Sequence, residues 1–192
     1  MSTYTTIKQN QSAEFKDRGS RFIAYAIRVS SKEEAEQNVA KLHDQHPKSR
    51  HVCYAYQLQN EYRANDDGEP SGSAGLPILN QIKSAGVQNT LVAVVRYFGG
   101  TKLGVSGLIN AYKISAKEAL EKSETIETED EISFIIKFDY ALMEASMSFI
   151  KSKNAIVCKQ VYEEKCTLHL QIRKSQHHEF QTYFTNLKVD IS

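Results

Sequence analysis

The sequence predicts an α+β protein of two domains: a two-layer α/β domain over residues 1–126 and a ferredoxin-like domain over 127–192. Three observations carry this. Strand-like runs rich in β-branched and aromatic residues alternate with helix-period segments through the N-terminal two thirds. The stretch "EKSETIETEDE" (121–131) then holds six acidic residues and almost nothing apolar, a composition shift that fits the end of a helix and a short linker. Beyond it the chain runs strand, helix, strand, strand, helix, strand, the split βαβ order.

Each element has its own signal. "SRFIAYAIRV" (20–29) alternates and reads as a strand. "SKEEAEQNVAKLHDQHP" (31–47) places Ser31 and Glu34 in capping-box spacing, puts Ala35, Val39 and Leu42 on one helical face, and ends at Pro47. "RHVCYAYQLQ" (50–59) is a second strand, and the polar "NEYRANDDGEPSGSAG" (60–75) reads as a loop. A helix follows from Leu76, with Pro77 in its first turn, Leu79 and Ile82 on one face, and Gly86 at its stop. "TLVAVVRYF" (90–98) is apolar on both faces, as in a central strand. Gly99 and Gly100 break it, and a helix of about 103–122 carries Leu108, Ala111, Tyr112, Ser115 and Ala119 as an inner stripe. In the last third, 131–139, 155–162, 166–172 and 188–191 read as strands, with helices over 140–153 and 175–187.

Composition excludes several functions. Lys and Arg number 24 against 23 Asp and Glu, a formal charge of +1, so any nucleic-acid or lipid binding must rest on a local patch. The longest aliphatic run, Leu91 to Val95, is too short for a bilayer, so no membrane role is expected. The N-terminus lacks the apolar core of a secretory signal. Three cysteines without metal-ligand spacing fit reduced residues in a cytoplasm, with Cys53, Cys158 and Cys166 read as small buried hydrophobes. No pattern calls for a cofactor or a metal, and the oligomeric state is left open.

Two loops carry the chemistry. "RYFGGTKLG" (96–104) runs from a strand through Gly99 and Gly100 into a helix, leaving backbone N–H groups that can cradle an anion beside Lys102 and Arg96. Neither the P-loop nor the dinucleotide glycine spacing is present. "DDGEPSGSAG" (66–75) offers Asp66, Asp67 and Glu69, with Gly68, Ser71 and Ser73, as a cation site, a general base, or a tight turn with capping serines. The favoured reading joins the loops: the acids neutralise Arg96 and Lys102 and fix both beside one cleft. Arg50, His51, Tyr54, Tyr56 and Tyr97 form a candidate aromatic and basic surface, joined by Arg18 and Arg21. On the strand, Tyr54 and Tyr56 share one face and His51 the other.

"SRFIA", "HVCYAY", "DDGEPSGSAGLPIL", "VVRYFGGTKLG" and "GLINAY" resemble the Impact/YigZ family, over most of residues 20 to 112. The C-terminal half resembles its bacterial, two-domain branch. The resemblance implies an N-terminal domain related to domain IV of elongation factor G and a ferredoxin-like domain related to its domain V. It further implies regulation of translation under amino-acid starvation in eukaryotic relatives, and contact with RNA, the ribosome or a protein of the translation machinery. Asp66 to Pro70, Gly72, Ala74 and Gly75 match the acidic motif, with Ser73 where threonine is usual. Arg96 to Gly100 and Lys102 to Gly104 match the second, whereas Ser106 replaces a glycine and Asn110 an arginine. Loss of that arginine predicts a weaker grip on phosphate, since asparagine donates without charge. The expectation is a translation-associated binding protein using this cleft. The alternative is an enzyme acting on a phosphorylated or carboxylated small molecule, with Asp67 or Glu69 as base or metal ligand and Arg96 and Lys102 as anion clamp.

Overall fold

The computed structural model describes residues 3–191. The chain divides into two compact units, one spanning Tyr4–Thr128 and the other joining Thr3 to the stretch from Glu129 onward. In the first, a five-stranded antiparallel sheet has the order β2-β3-β6-β4-β5, from β2 (Gln11–Asp17), β3 (Ser20–Arg28), β4 (His51–Gln57), β5 (Tyr62–Asn65) and β6 (Thr90–Tyr97). The apolar run of β6 is central because both its faces are covered. On one side α2 (Gly75–Ser84) and α3 (Gly104–Glu121) pack with Phe22, Cys53, Val92 and Val94 into one core. On the other, α1 (Lys32–Gln45) covers Val52, Tyr54, Tyr56, Ala93 and Val95. The expected sheet-and-helix layering holds for α2 and α3, and α1 adds a third layer.

The helix signals act as chemistry dictates. Ser31 caps α1 by accepting the Glu34 N–H at 3.2 Å, while the Glu34 carboxylate reaches one residue further back, to the N–H of Ser30 at 2.7 Å. The anticipated inner faces of α1 and α3 are buried. Burying one such Leu or Val stabilises by about 1.5–3 kcal/mol.

Four strands arise where the sequence shows no strong period. β1 (Thr3–Ile7) pairs with β7 (Thr125–Glu129), and β2 edges the main sheet. β7 falls in the stretch read as a linker, and β5 within the stretch read as a loop. Both are short and polar, and cross-strand pairing rather than apolar alternation defines them.

The second unit has β8 (Glu131–Phe138), α4 (Met143–Ser152), β9 (Ile156–Tyr162), β10 (Cys166–Arg173), α5 (His177–Asn186) and β11 (Asp190–Ile191). The sheet order is β11-β8-β10-β9, all antiparallel, which is the ferredoxin-like arrangement. Its core is its own, built on Phe134, Ile136, Phe138, Phe180 and Phe184. Cys166 is buried there, but Cys158 is exposed, because β9 is an edge strand.

Candidate functional site

The two loops converge. β4 and β6 pair with His51 opposite Arg96, so both side chains leave the sheet on the α2–α3 face, where residue 69 meets them. Glu69 Oε1 accepts from Arg96 Nη1 at 2.5 Å and from the Tyr112 hydroxyl at 2.8 Å. Both members of this ion pair are sequestered, with side chains 7% and 4% exposed. A buried pair of this kind is held by mutual compensation: either charge left alone costs several kcal/mol, about 3–5. The network continues inward. Cys53 Sγ donates towards the Tyr112 oxygen at 3.2 Å, and burial pushes both the thiol and the phenol upward, so Cys53 is no thiolate nucleophile.

The remaining acids serve the backbone. Asp66 accepts the N–H groups of Gly72, Ala74 and Gly75 at 2.8, 3.0 and 2.8 Å, closing the start of α2. Burial pushes its carboxyl upward, yet these three amides outweigh that and hold it below the usual aspartate value. Asp67 Oδ2 accepts the Val52 N–H at 2.6 Å, and its carbonyl lies 2.5 Å from His51 Nδ1. A carbonyl only accepts, so Nδ1 of His51 carries a proton and donates to it. Its Nε2 lies 3.8 Å from Glu69 Oε2. Ser73 Oγ donates to the Pro70 carbonyl at 2.6 Å, and Ser71 is exposed.

The expected pairing of acids with cations holds only in part. Glu69 alone neutralises Arg96, and among the described residues Lys102 makes no ion pair. Asp67, a candidate base or metal ligand, is spent on an amide. Among the described residues no group of three His, Cys, Asp or Glu converges to hold a metal. Gly99 is committed to its own turn rather than to an anion. A Cβ on Gly99 would lie 1.8 Å from the Gly19 carbonyl carbon, so glycine is there to let two backbones meet, and the Gly99 N–H is bound to Ser20 Oγ at 3.2 Å.

The anion-capable element lies a few residues on. α3 begins at Gly104 with no side-chain cap and no acidic residue in its first turn. It opens into a cleft of ≈ 420 Å³ with Arg50, His51, Glu69, Arg96 and Lys102 around it and Phe98, Val105 and Leu108 in its walls. Phe98 and Val105 are 47% and 54% exposed, so the walls are accessible.

Of the aromatic candidates, Tyr54, Tyr56 and Tyr97 sit on the opposite face of the sheet. Tyr54 and Tyr56 are buried under α1, so their rings cannot stack on a visitor, and the Tyr97 hydroxyl bonds His46 Nδ1 at 2.8 Å. Burial, helped by nearby Arg21, holds His46 below the usual histidine value. Arg21 is paired with Glu14 at 2.7 Å. Arg50 and His51 remain at the cleft, while Gly68, Gly99, Gly100 and Asn110 are exposed outside its lining. Sequence reasoning named Tyr112 only as core and passed over Phe98 and Val105. The signals were a hydroxyl on an inward helical stripe, which must find a partner, and apolar residues off that stripe.

Fold and site together define a two-unit α+β protein with a cleft built from an acid-rich turn and the start of a helix. The chain belongs to the Impact family: the model of the Impact N-terminal domain matches residues 18–120. It is similar to IMPACT family member YvyE of Bacillus subtilis, 33% identical over 195 residues, 98% of this chain and 90% of the relative. It is also similar to IMPACT family member YigZ of Escherichia coli, 37% identical over 111 residues, 55% of this chain and 54% of that one. The crystal structure of a hypothetical protein shares the fold at a TM-score of 0.72 and 24% identity, covering 100% of this chain and 97% of its own. No helix among the described residues is long and apolar enough to cross a membrane.

Proposed function

We propose that this protein is a translation-associated binding protein of the cytoplasm that contacts RNA through a phosphate held at the start of α3. One observation carries the reading. The first turn of α3 is uncapped and free of acids, and it opens into a cleft rimmed by Lys102 and Arg50. Orphan N–H groups, the helix dipole and two exposed cations together favour an anion. Membership of the Impact family supplies the setting, since the family resemblance implies control of translation, including under stress.

Binding is favoured over catalysis because the acids of the loop are already committed. Asp66 and Asp67 hold backbone amides, and Glu69 compensates Arg96. Arg96 is scaffold rather than clamp, which leaves Lys102 and Arg50 as the cations that can meet phosphate. The test is RNA binding across ionic strengths for the full chain and for Arg50→Ala with Lys102→Ala. A weaker, less salt-sensitive double variant supports the reading, and unchanged binding at every salt concentration overturns it.

A further inference from the structure

We infer that the seat at the start of α3 takes a terminal phosphomonoester, the phosphorylated end of a single-stranded RNA, in preference to a phosphate inside the strand. The inference rests on the proposed RNA contact and assigns which phosphate the cleft holds.

The lining of the cleft runs from exposed to buried. Phe98 and Val105 are 47% and 54% exposed, whereas the side chains of Arg96 and Glu69 are 7% and 4% exposed. A phosphate inside a strand carries a nucleoside on each side and must lie across the exposed mouth. A phosphate at a strand end carries only one, so it enters tip first. At the buried end a donor is free: Arg96 Nε has no hydrogen-bond partner. Glu69 compensates the Arg96 charge through Nη1, so Arg96 offers this N–H without a free charge. A buried donor lacking an acceptor is costly, and a ligand oxygen brought to it removes that cost.

Charge points the same way. A phosphomonoester carries about −1.5 to −2 at pH 7 and three terminal oxygens. A phosphate inside a strand carries a single charge. Lys102 and Arg50, both exposed in the lining, meet it with two positive charges beside the helix dipole. The local sequence sets no acid against them. From Pro70 to Lys117 the chain has no Asp or Glu, while Lys83, Arg96, Lys102, Lys113 and Lys117 are basic. The acids just before this stretch are committed, Asp66 to three amides, Asp67 to one and Glu69 to Arg96. A dianion therefore matches the two cations, where a diester leaves one over.

The experiment is a competition titration of the full chain with one single-stranded RNA prepared with a 5′-phosphate, with a 3′-phosphate, or with hydroxyls at both ends. Uridine monophosphate is the fourth competitor. At least one phosphorylated strand should bind about tenfold tighter than the unphosphorylated one, the worth of a charge-assisted hydrogen bond. Arg50→Ala with Lys102→Ala should erase that difference. Val105→Asp, at an exposed position, sets a carboxylate beside the seat and should erase it too. An acid in a first helical turn complements the dipole, so this variant should keep the wild-type melting temperature. Equal affinity for all three strands overturns the end-group seat, as does a difference that survives Val105→Asp. If the three bind equally and still weaken in Arg50→Ala with Lys102→Ala, the RNA contact stands without an end preference. If no strand responds to that double variant, the underlying reading falls instead. Uridine monophosphate binding as tightly as the phosphorylated strands overturns the assignment to a strand end and makes the ligand a free mononucleotide.

Discussion

Asp66, Asp67 and Glu69, within four positions of one another, meet three different electrostatic fates. Asp66 is held ionised by three amides, Asp67 accepts a single amide, and Glu69 is matched to a guanidinium. For Asp66 the folded carboxyl titrates below its ordinary 3.8. A depressed carboxyl stabilises above the unfolded value and loses that contribution as pH falls through the folded one. Asp66→Asn should therefore cost about 1 kcal/mol at pH 7, allowing for partial solvent screening. The gap from wild type should shrink below about pH 4. Urea midpoints at pH 7 and pH 3 check this, and a pH-independent gap contradicts it. Glu69→Gln should be harsher, about 3–5 kcal/mol, because it strands the Arg96 charge. In a double-mutant cycle, Arg96→Met should restore part of that loss; additive losses refute the coupling. That these acids and cations belong together was legible from their spacing around turns and strand ends. Which acid takes which partner was not, because it turns on differences of an ångström that only the folded backbone sets.

Elements were legible in proportion to their apolar period. β3, β4, β6, α1 and α3 declare themselves because each buries a stripe or a run. β1, β5 and β7 carry no such stripe, and their pairing is decided by partners distant in sequence. The glycine pair after β6 shows the same limit: Gly-Gly before a helix is the signature of an anion loop, yet Gly99 is required by the turn between β2 and β3. Gly99→Ala should cost on the order of 3 kcal/mol, since a backbone must move to admit the methyl. Thermal unfolding checks this, and a loss under half a kilocalorie would show that the turn yields freely. α3 is the functional element, because its inner stripe anchors it in the core while its uncapped first turn faces the cleft.

For the whole molecule, near-neutral charge becomes a quantitative constraint. With 24 basic and 23 acidic residues, no broad field draws a polyanion onto the surface, so attraction to RNA must come from the few cations at the cleft. Each phosphate neutralised on a single strand contributes about 0.7 to the slope of log affinity against log salt. Lys102 and Arg50 gripping one phosphate then predict a slope of magnitude about 0.7. Arg50→Ala with Lys102→Ala should bring it near zero, and because both residues are exposed the melting temperature should hardly move. Filter binding or anisotropy between 50 and 300 mM salt, roughly the range over which counterion release is resolved, measures this directly. A slope several times steeper would locate the contact on a broader basic surface elsewhere. A shallow slope that persists in the double variant would mean that RNA, if held, is held by apolar contact alone. Only a shallow slope abolished by those two substitutions fits a single phosphate seated where α3 begins.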